Sequence, residues 1–278
     1  MSERDQALRI LERVENDAAP ATPQLDSDAV FVRGAAFVRH LVLGVLRWRS
    51  RLDYVIEQLA GRKIVSVDPV VRQILRIGIY QLMWMDVAPY AAVSECVAIA
   101  KRRVPRASGF VNAVLRRAST SALENIVPAG DGVAGEAVRN GHPPWLLERW
   151  IARFGADRAL AIVAANQQLS YPDLLVRSDR VPMETLTGRL DERSVPYERS
   201  PIFPDMLRLR TGTDAVEKEI EEGLVYPMDE GSVAVARLFP SGMGDVLDLA
   251  AAPGGKSLAL MARARRVVSH DISWRRLR

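Results

Sequence analysis

Residues Val246-Leu247-Asp248-Leu249 form a short apolar run that leads into Ala250-Ala251-Ala252-Pro253-Gly254-Gly255-Lys256 and then into the helix-forming stretch from Ser257. A strand that passes through a loop of small residues into a helix is the opening of an α/β unit that holds a nucleotide-type cofactor. Small residues let the backbone approach a ligand closely, and the helix start presents unpaired N–H groups to an anionic group. A second strand is predicted over residues 266–269, ending in His270-Asp271. Asp271 lies 23 residues after Asp248 and 16 after Gly255. An acid at the tip of the second strand is the usual partner of ribose hydroxyls. The loop has neither the glycine spacing of a dinucleotide fingerprint nor a Walker-type Gly-x-x-x-x-Gly-Lys pattern, since position 250 is alanine. NAD and ATP are therefore disfavoured.

The chain ahead of this loop has a different character. Residues 1–121 show apolar residues at helical spacing and nothing that alternates with period two. Asp68-Pro69 is a strong helix start, with Asp as N-cap and Pro at the first helical position. The helix it opens, through Val71, Ile74, Leu75, Ile79 and Leu82, is expected to be central. Gly61 suits the C-terminal end of a preceding helix, and further helices are expected over 89–103 and 110–117. A Gly/Pro/Ala-rich stretch from Asn125 to Pro144 reads as a linker. Two amphipathic helices follow, over 144–154 and 157–167. Beyond Pro172 strands enter, at 174–176 and 206–209, with helices at 185–192, 216–222 and 231–238 among them. The predicted fold class is multidomain α and α/β: an all-helical domain (1–125), linker helices with a small α/β subdomain (126–240), and the start of a Rossmann-like domain (241–278).

Charge is uneven along this plan. Residues 1–121 carry 18 Lys+Arg against 12 Asp+Glu, whereas the remainder carries 20 against 22. A basic front half favours a polyanionic partner, nucleic acid above all. Arg33, Arg47, Arg49 and Arg51 are the candidate phosphate contacts; the alternative is a solvated basic face. The single cysteine, Cys96, excludes a disulfide framework, and with three histidines no metal site is expected. No apolar run approaches the ~20 residues needed to span a bilayer, and the N-terminus lacks a signal-peptide core. A cytoplasmic monomer without a membrane partner is the expectation.

The run Leu247–Ser257 resembles the S-adenosylmethionine loop of RNA cytosine-C5 methyltransferases, with Ala250 where a cysteine is common. Tyr80-Gln81-Leu82, Pro89-Tyr90-Ala91-Ala92-Val93-Ser94-Glu95 and Gly109-Phe110-Val111-Asn112-Ala113-Val114-Leu115-Arg116 resemble the NusB fold. Together they point to the RsmB (Sun) branch, which acts on small-subunit ribosomal RNA. His142-Pro143-Pro144-Trp145 and Met228-Asp229-Glu230-Gly231-Ser232 are similar to further motifs of that branch, Met228 standing in place of glutamine. The resemblance implies S-adenosylmethionine as cofactor, held by Ala250, Ala251, Ala252, Pro253, Gly254, Gly255, Lys256 and Asp271. The signature after Asp271 continues as Arg276-Leu277.

The same resemblance implies a mechanism in which one cysteine attacks cytosine C6 and another assists product release. Both would lie beyond the counterpart of Arg278. No catalytic residue is therefore assigned here, and the 278-residue chain is expected to be inactive alone. Cys96, in a helical run, reads as a buried structural thiol; His40 and His270 read as structural, and Trp48 and Trp84 as packing residues. Two other readings stay open: a stand-alone NusB-like RNA-binding or antitermination-type module, and a non-functional truncated product.

Overall fold

The computed structural model describes residues 2–17, 20–27, 34–130, 132–168 and 171–273. The chain forms two compact units, residues 1–168 and 169–278.

The first unit is helical: α1 (Glu3–Asn16), α2 (Ala21–Ser27), α3 (Ala35–Arg47), α4 (Arg49–Ala60), α5 (Pro69–Trp84), α6 (Pro89–Arg103), α7 (Ser108–Ser119), α8 (Val133–Arg139), α9 (Pro144–Phe154) and α10 (Ala156–Asn166). The Asp68-Pro69 signal operates as expected. The Asp68 carboxylate accepts the N–H groups of Val70 and Val71 at 2.9 and 3.2 Å, with Pro69 at the first helical position. α5 is the central helix, and Ile74, Leu75, Ile77 and Ile79 on it are fully buried. Each such aliphatic side chain contributes about 1.5–3 kcal/mol relative to an exposed one. Leu8, Ile10 and Leu11 of α1, Leu41 of α3, Leu52 and Ile56 of α4 and Leu115 of α7 close the core around it.

Charge is buried in this core as well. Arg76 is 2% exposed; it donates to both carboxylate oxygens of Asp53, at 2.6 and 2.8 Å, and to Glu15 at 3.1 Å. Gln73 donates to the same Glu15 carboxylate. Trp48 and Trp84 stack with ring centroids 4.6 Å apart, the packing role expected of them. Cys96 is fully buried, and burial pushes its thiol up to about 12.

The predicted linker contains structure. α8 lies within residues 125–144, because Ala137 is fully buried against Leu147, Ala159 and Val163 in a small core of its own. Arg139 closes the preceding turn by donating to the carbonyls of Pro128 and Gly130. His142 is buried too: its Nδ1 lies 2.6 Å from the Asn140 carbonyl, so Nδ1 carries the proton and Nε2 accepts from Asn166 Nδ2. The helices α8–α10 thus group with the helical unit, the division falling after Gln168.

The second unit is α/β: β1 (Asp173–Val176), α11 (Met183–Glu192), β2 (Tyr197–Arg199), β3 (Met206–Leu209), α12 (Glu217–Glu221), β4 (Val225–Pro227), α13 (Glu230–Arg237), β5 (Met243–Asp248), α14 (Gly255–Met261) and β6 (Ala264–Ser269). Four strands make an antiparallel sheet in the order β2-β3-β1-β4. Leu174, Val176, Leu207 and Leu209 point into one core, with Leu186 and Leu190 of α11. Leu175 and Met206 point into another, with Val233 and Ala236 of α13 and Leu260 of α14. The alternation of these strand residues is the period-two pattern of a sheet covered on both faces. β2 and β4, which no pattern in the sequence marks, are three residues each, and of their residues only Val225 is fully buried.

β5 and β6 pair in parallel, with Val246 opposite Val267 and Asp248 opposite Ser269. The α14 crossover between them makes a βαβ unit, as the strand–loop–helix–strand reading requires. The fold class is the expected one, a helical region followed by an α/β region.

Candidate functional site

The loop between β5 and α14 is held from three directions. The Asp248 carboxylate accepts the Ser257 hydroxyl at 2.7 Å and the Ala250 N–H at 3.3 Å, so the last strand residue grips the loop start and the helix. Ser257 in turn accepts the hydroxyl of Ser269 at the end of β6, at 2.9 Å. On the far side, Asp271 accepts the Ala252 N–H at 3.1 Å through one oxygen and the Ser273 N–H at 2.8 Å through the other. The Ala251 N–H donates to the His270 carbonyl, which brings the two strand ends together. The Ala252–Pro253 peptide is cis.

Both loop glycines are required, for different reasons. Gly254 has φ +109°, a left-handed conformation unfavourable for any residue with a Cβ. At Gly255 the constraint is proximity: a Cβ there would lie 3.0 Å from the Tyr226 ring and 3.3 Å from the Met228 sulfur. Tyr226 also donates its hydroxyl to the Pro253 carbonyl at 3.4 Å.

Beside the loop lies a cleft of about 400 Å3. Ala251, Pro253, Gly255 and Lys256 line it from the loop, and Tyr226 and Met228 line it from the end of β4. Asp229 and Ser232, at the first turn of α13, complete the rim. Asp229 caps α13 by accepting the Ser232 N–H at 2.8 Å and its hydroxyl at 2.6 Å, and that bond holds its carboxyl below the usual range. An apolar surface with a few placed polar groups, one of them an ammonium, is what a small polar molecule with an apolar body needs.

The sequence-predicted residues therefore divide. Ala251, Pro253, Gly255 and Lys256 line the cleft; Ala250, Ala252, Gly254 and Asp271 build the loop behind it. Tyr226, Met228 and Ser232 are additional wall residues; only the Met228-Asp229-Glu230-Gly231-Ser232 run hinted at them, and Tyr226 carried no signal. Among the described residues no group of three or more His, Cys, Asp and Glu is placed to hold a metal ion, and no helix is long and apolar enough to cross a membrane.

The four candidate phosphate contacts also separate. Arg47 is exposed, and Arg49 is half exposed and reaches Glu15 at 3.5 Å. Arg51 corrects the expectation: it is 4% exposed and donates to the carbonyls of Leu123 and Glu124, so its side chain serves the fold. Its regular spacing from Arg47 and Arg49 gave no warning, because α4 begins between them and turns Arg51 inward. Arg33, like Arg276 and Leu277, lies outside the described residues.

Residues 1–120 match the NusB family, and residues 142–216 match the ferredoxin-like domain of the RsmF/B-like methyltransferases. Over 281 aligned residues the chain is 31% identical to a Bacillus subtilis protein named "Probable ribosomal RNA small subunit methyltransferase B", covering 98% of this chain and 63% of that protein. The ribosomal RNA small subunit methyltransferase B of Escherichia fergusonii is 32% identical over 248 residues, 87% of this chain and 56% of its own length. The crystal structure of PH0851 superposes on the whole chain with a TM-score of 0.70 at 19% identity, over 65% of its length, and so shares its fold. The chain spans less than two thirds of the length of these curated relatives. With a NusB region ahead of an RsmF/B-type ferredoxin-like region, and this likeness running along nearly all of its length, the chain belongs to the ribosomal RNA small subunit methyltransferase B (RsmB/Sun) family.

Proposed function

We propose that the chain is the RNA-binding and cofactor-loop portion of a small-subunit ribosomal RNA cytosine-C5 methyltransferase. In this reading the loop 250–256 and Asp271 hold S-adenosylmethionine, and the helical unit contacts RNA through Arg47 and Arg49. The observation that carries it is the joining of the β5 loop to the β6 end by the Asp271–Ala252 hydrogen bond, beside a cleft that Lys256 lines.

The residues fit that cofactor. Its carboxylate calls for a cation, which Lys256 offers at the cleft. Its ribose hydroxyls call for an acceptor, and the Asp271 carboxylate stands just past the end of β6, where such an acid is the usual partner. Its apolar methylene body suits the Tyr226 and Met228 wall. Bound there, it would supply an electrophilic methyl group.

A nucleophilic thiol is a different matter. Cys96 is the only cysteine of the chain. It is buried in the helical core with its thiol held protonated, and the thiolate is the reactive form. These 278 residues therefore position cofactor and RNA but do not attack cytosine. The reading places the protein in the cytoplasm, acting as a monomer.

Isothermal titration of the chain with S-adenosylmethionine tests the cofactor assignment. Binding that weakens at least tenfold in both Lys256→Ala and Asp271→Ala is the expected result. Absent binding, or binding that neither substitution affects, would remove it. Methylation of small-subunit ribosomal RNA by the purified chain would refute the statement about the thiol.

A further inference from the structure

Between α6 and α7 the helical unit carries an open groove of about 590 Å3 that the cofactor reading leaves unused. Tyr90, Val93, Val97 and Lys101 follow one another along α6 at helical spacing, and Asn112 and Arg116 face them from α7. Val93 and Val97 pack partly against the core and leave an apolar floor. Tyr90, at the first turn of α6, is 83% exposed. The core makes almost no use of its ring.

The charges lining the groove are of one sign. Lys101 and Arg116 line it and no acidic residue does. Their neighbours in sequence are engaged elsewhere: Arg102 pairs with Asp5 at 2.7 Å, Arg103 with Glu12 at 2.9 Å, and Arg117 donates to the Leu59 carbonyl at 2.6 Å. Lys101 and Arg116 have no ion-pair partner among the described residues. Lys101 and Arg116 each lie in the last turn of their helix, where a cation is favoured in any case. That does not account for an exposed tyrosine over an apolar floor in the same groove.

A flat apolar floor, an exposed aromatic ring, an amide and two cations suit a ligand with exposed π-faces, hydrogen-bonding edges and regularly spaced negative charge. Single-stranded nucleic acid has all three; a duplex hides its base faces within the stack. An acidic peptide would satisfy the cations but leave the ring and floor without a stacking partner. We infer that the α6–α7 groove binds a single-stranded segment of RNA, with Tyr90 stacked on a base, Asn112 at a base edge, and Lys101 and Arg116 on the flanking phosphates. This rests on the RNA-binding reading above and extends it, by placing the binding site on helices other than those of Arg47 and Arg49.

Fluorescence anisotropy of the full chain tests it, using a labelled 12-nucleotide single strand and the matching duplex across a KCl series. Tyr90→Ala is expected to weaken single-strand binding roughly fivefold or more, the loss that goes with removing one base–aromatic stack. In Lys101→Gln/Arg116→Gln the slope of log affinity on log salt should flatten by about 1.4, which is about 0.7 for each single-strand phosphate that is no longer neutralised. Circular dichroism matching the parent would show that the fold is intact, as the exposure of Tyr90 leads one to expect. If the groove variants bind as the parent does while Arg47→Gln/Arg49→Gln binds more weakly, the groove assignment falls and the RNA reading stands. If the parent binds neither RNA, both fall. Competition by poly-glutamate as effective as by unlabelled RNA would also overturn the assignment, since a site that reads bases should prefer them.

Discussion

The carboxylate of Asp271 accepts the N–H of Ala252 across nineteen residues of chain, at 3.1 Å. Two segments far apart in sequence, the loop after β5 and the end of β6, are thereby one structure. Any ligand that orders one of them orders the other, so the effect of an Asp271 substitution reaches the loop before it reaches any bound molecule.

Asp271→Ala should loosen the loop even without ligand. Two hydrogen bonds to a charged acceptor disappear, each worth about 1.5–3 kcal/mol, although the Asp271 carboxylate keeps some access to water and the lower end applies. Hydrogen exchange at residues 250–256 is expected to accelerate at least tenfold. Asp271→Asn, which retains a carbonyl acceptor, should recover part of that protection. Unchanged exchange in Asp271→Ala would show that Asp248 and Ser257 hold the loop by themselves.

The two loop glycines should fail differently. Gly254→Ala meets empty space but forces a Cβ into the left-handed region, at a cost of about 1–2 kcal/mol. Gly255→Ala meets the Tyr226 ring and Met228, an overpacking cost of about 1–3 kcal/mol. Removing the obstacle should relieve only the second: Tyr226→Ala combined with Gly255→Ala is expected to be less destabilised than the two single costs added. A thermal-denaturation double-mutant cycle measures this coupling, and strict additivity at 255 and 226 would contradict the close approach of the two residues.

Much of the fold is legible in the sequence wherever a residue acts locally. Asp68-Pro69 starts a helix by chemistry confined to four residues, and the Pro-Gly-Gly loop announces itself through small size and backbone freedom. α8 was hidden because its stability comes from Ala137 packing on residues up to 26 positions away, within a composition that reads as linker. β2 and β4 were hidden because three residues give no periodicity to count. Arg51 was misplaced because arginines at alternate positions look alike in sequence, whereas the start of α4 sends one of them into the core. Tyr226, which shapes the cleft through Gly255, gave no local sign at all, since its role exists only once β4 stands beside the loop.

The inward placement of Arg51 is itself testable. Arg51→Met removes two donors to the carbonyls of Leu123 and Glu124 in a buried setting, and leaving those acceptors unsatisfied costs about 1–3 kcal/mol. The midpoint of urea unfolding should fall accordingly, while RNA affinity stays at the parent value under native conditions. A fall in affinity without a fall in stability would return Arg51 to the binding surface.

Arg76 should be the most sensitive charged residue of the helical unit. It lies among core side chains and satisfies Asp53 and Glu15 together. Arg76→Met would strand the Asp53 carboxylate, whereas Glu15 keeps Arg72 at 3.1 Å; breaking a buried pair from one side costs about 3–5 kcal/mol. Adding Asp53→Leu should restore part of the loss by removing the stranded charge. Equal stability of the single and double variants in urea titrations would contradict the pairing.

Cys96 gives stability a dependence on alkaline pH whose sign follows from burial. Burial pushes the folded-state thiol up to about 12, against an ordinary value of 9.0. The folded state thus keeps its proton through a range in which the unfolded chain loses it. The contribution is fully present below pH 9 and declines as pH rises from there toward 12, at no more than about 1.4 kcal/mol per pH unit. Urea unfolding at pH 8, 9 and 10 should show the parent losing stability more steeply than Cys96→Ala, even though Cys96→Ala begins lower because it leaves a small cavity. Parallel curves for the two proteins across that range would mean that the thiol ionises as readily in the folded chain as in the unfolded one, and Cys96 would then have to be regarded as a reactive group.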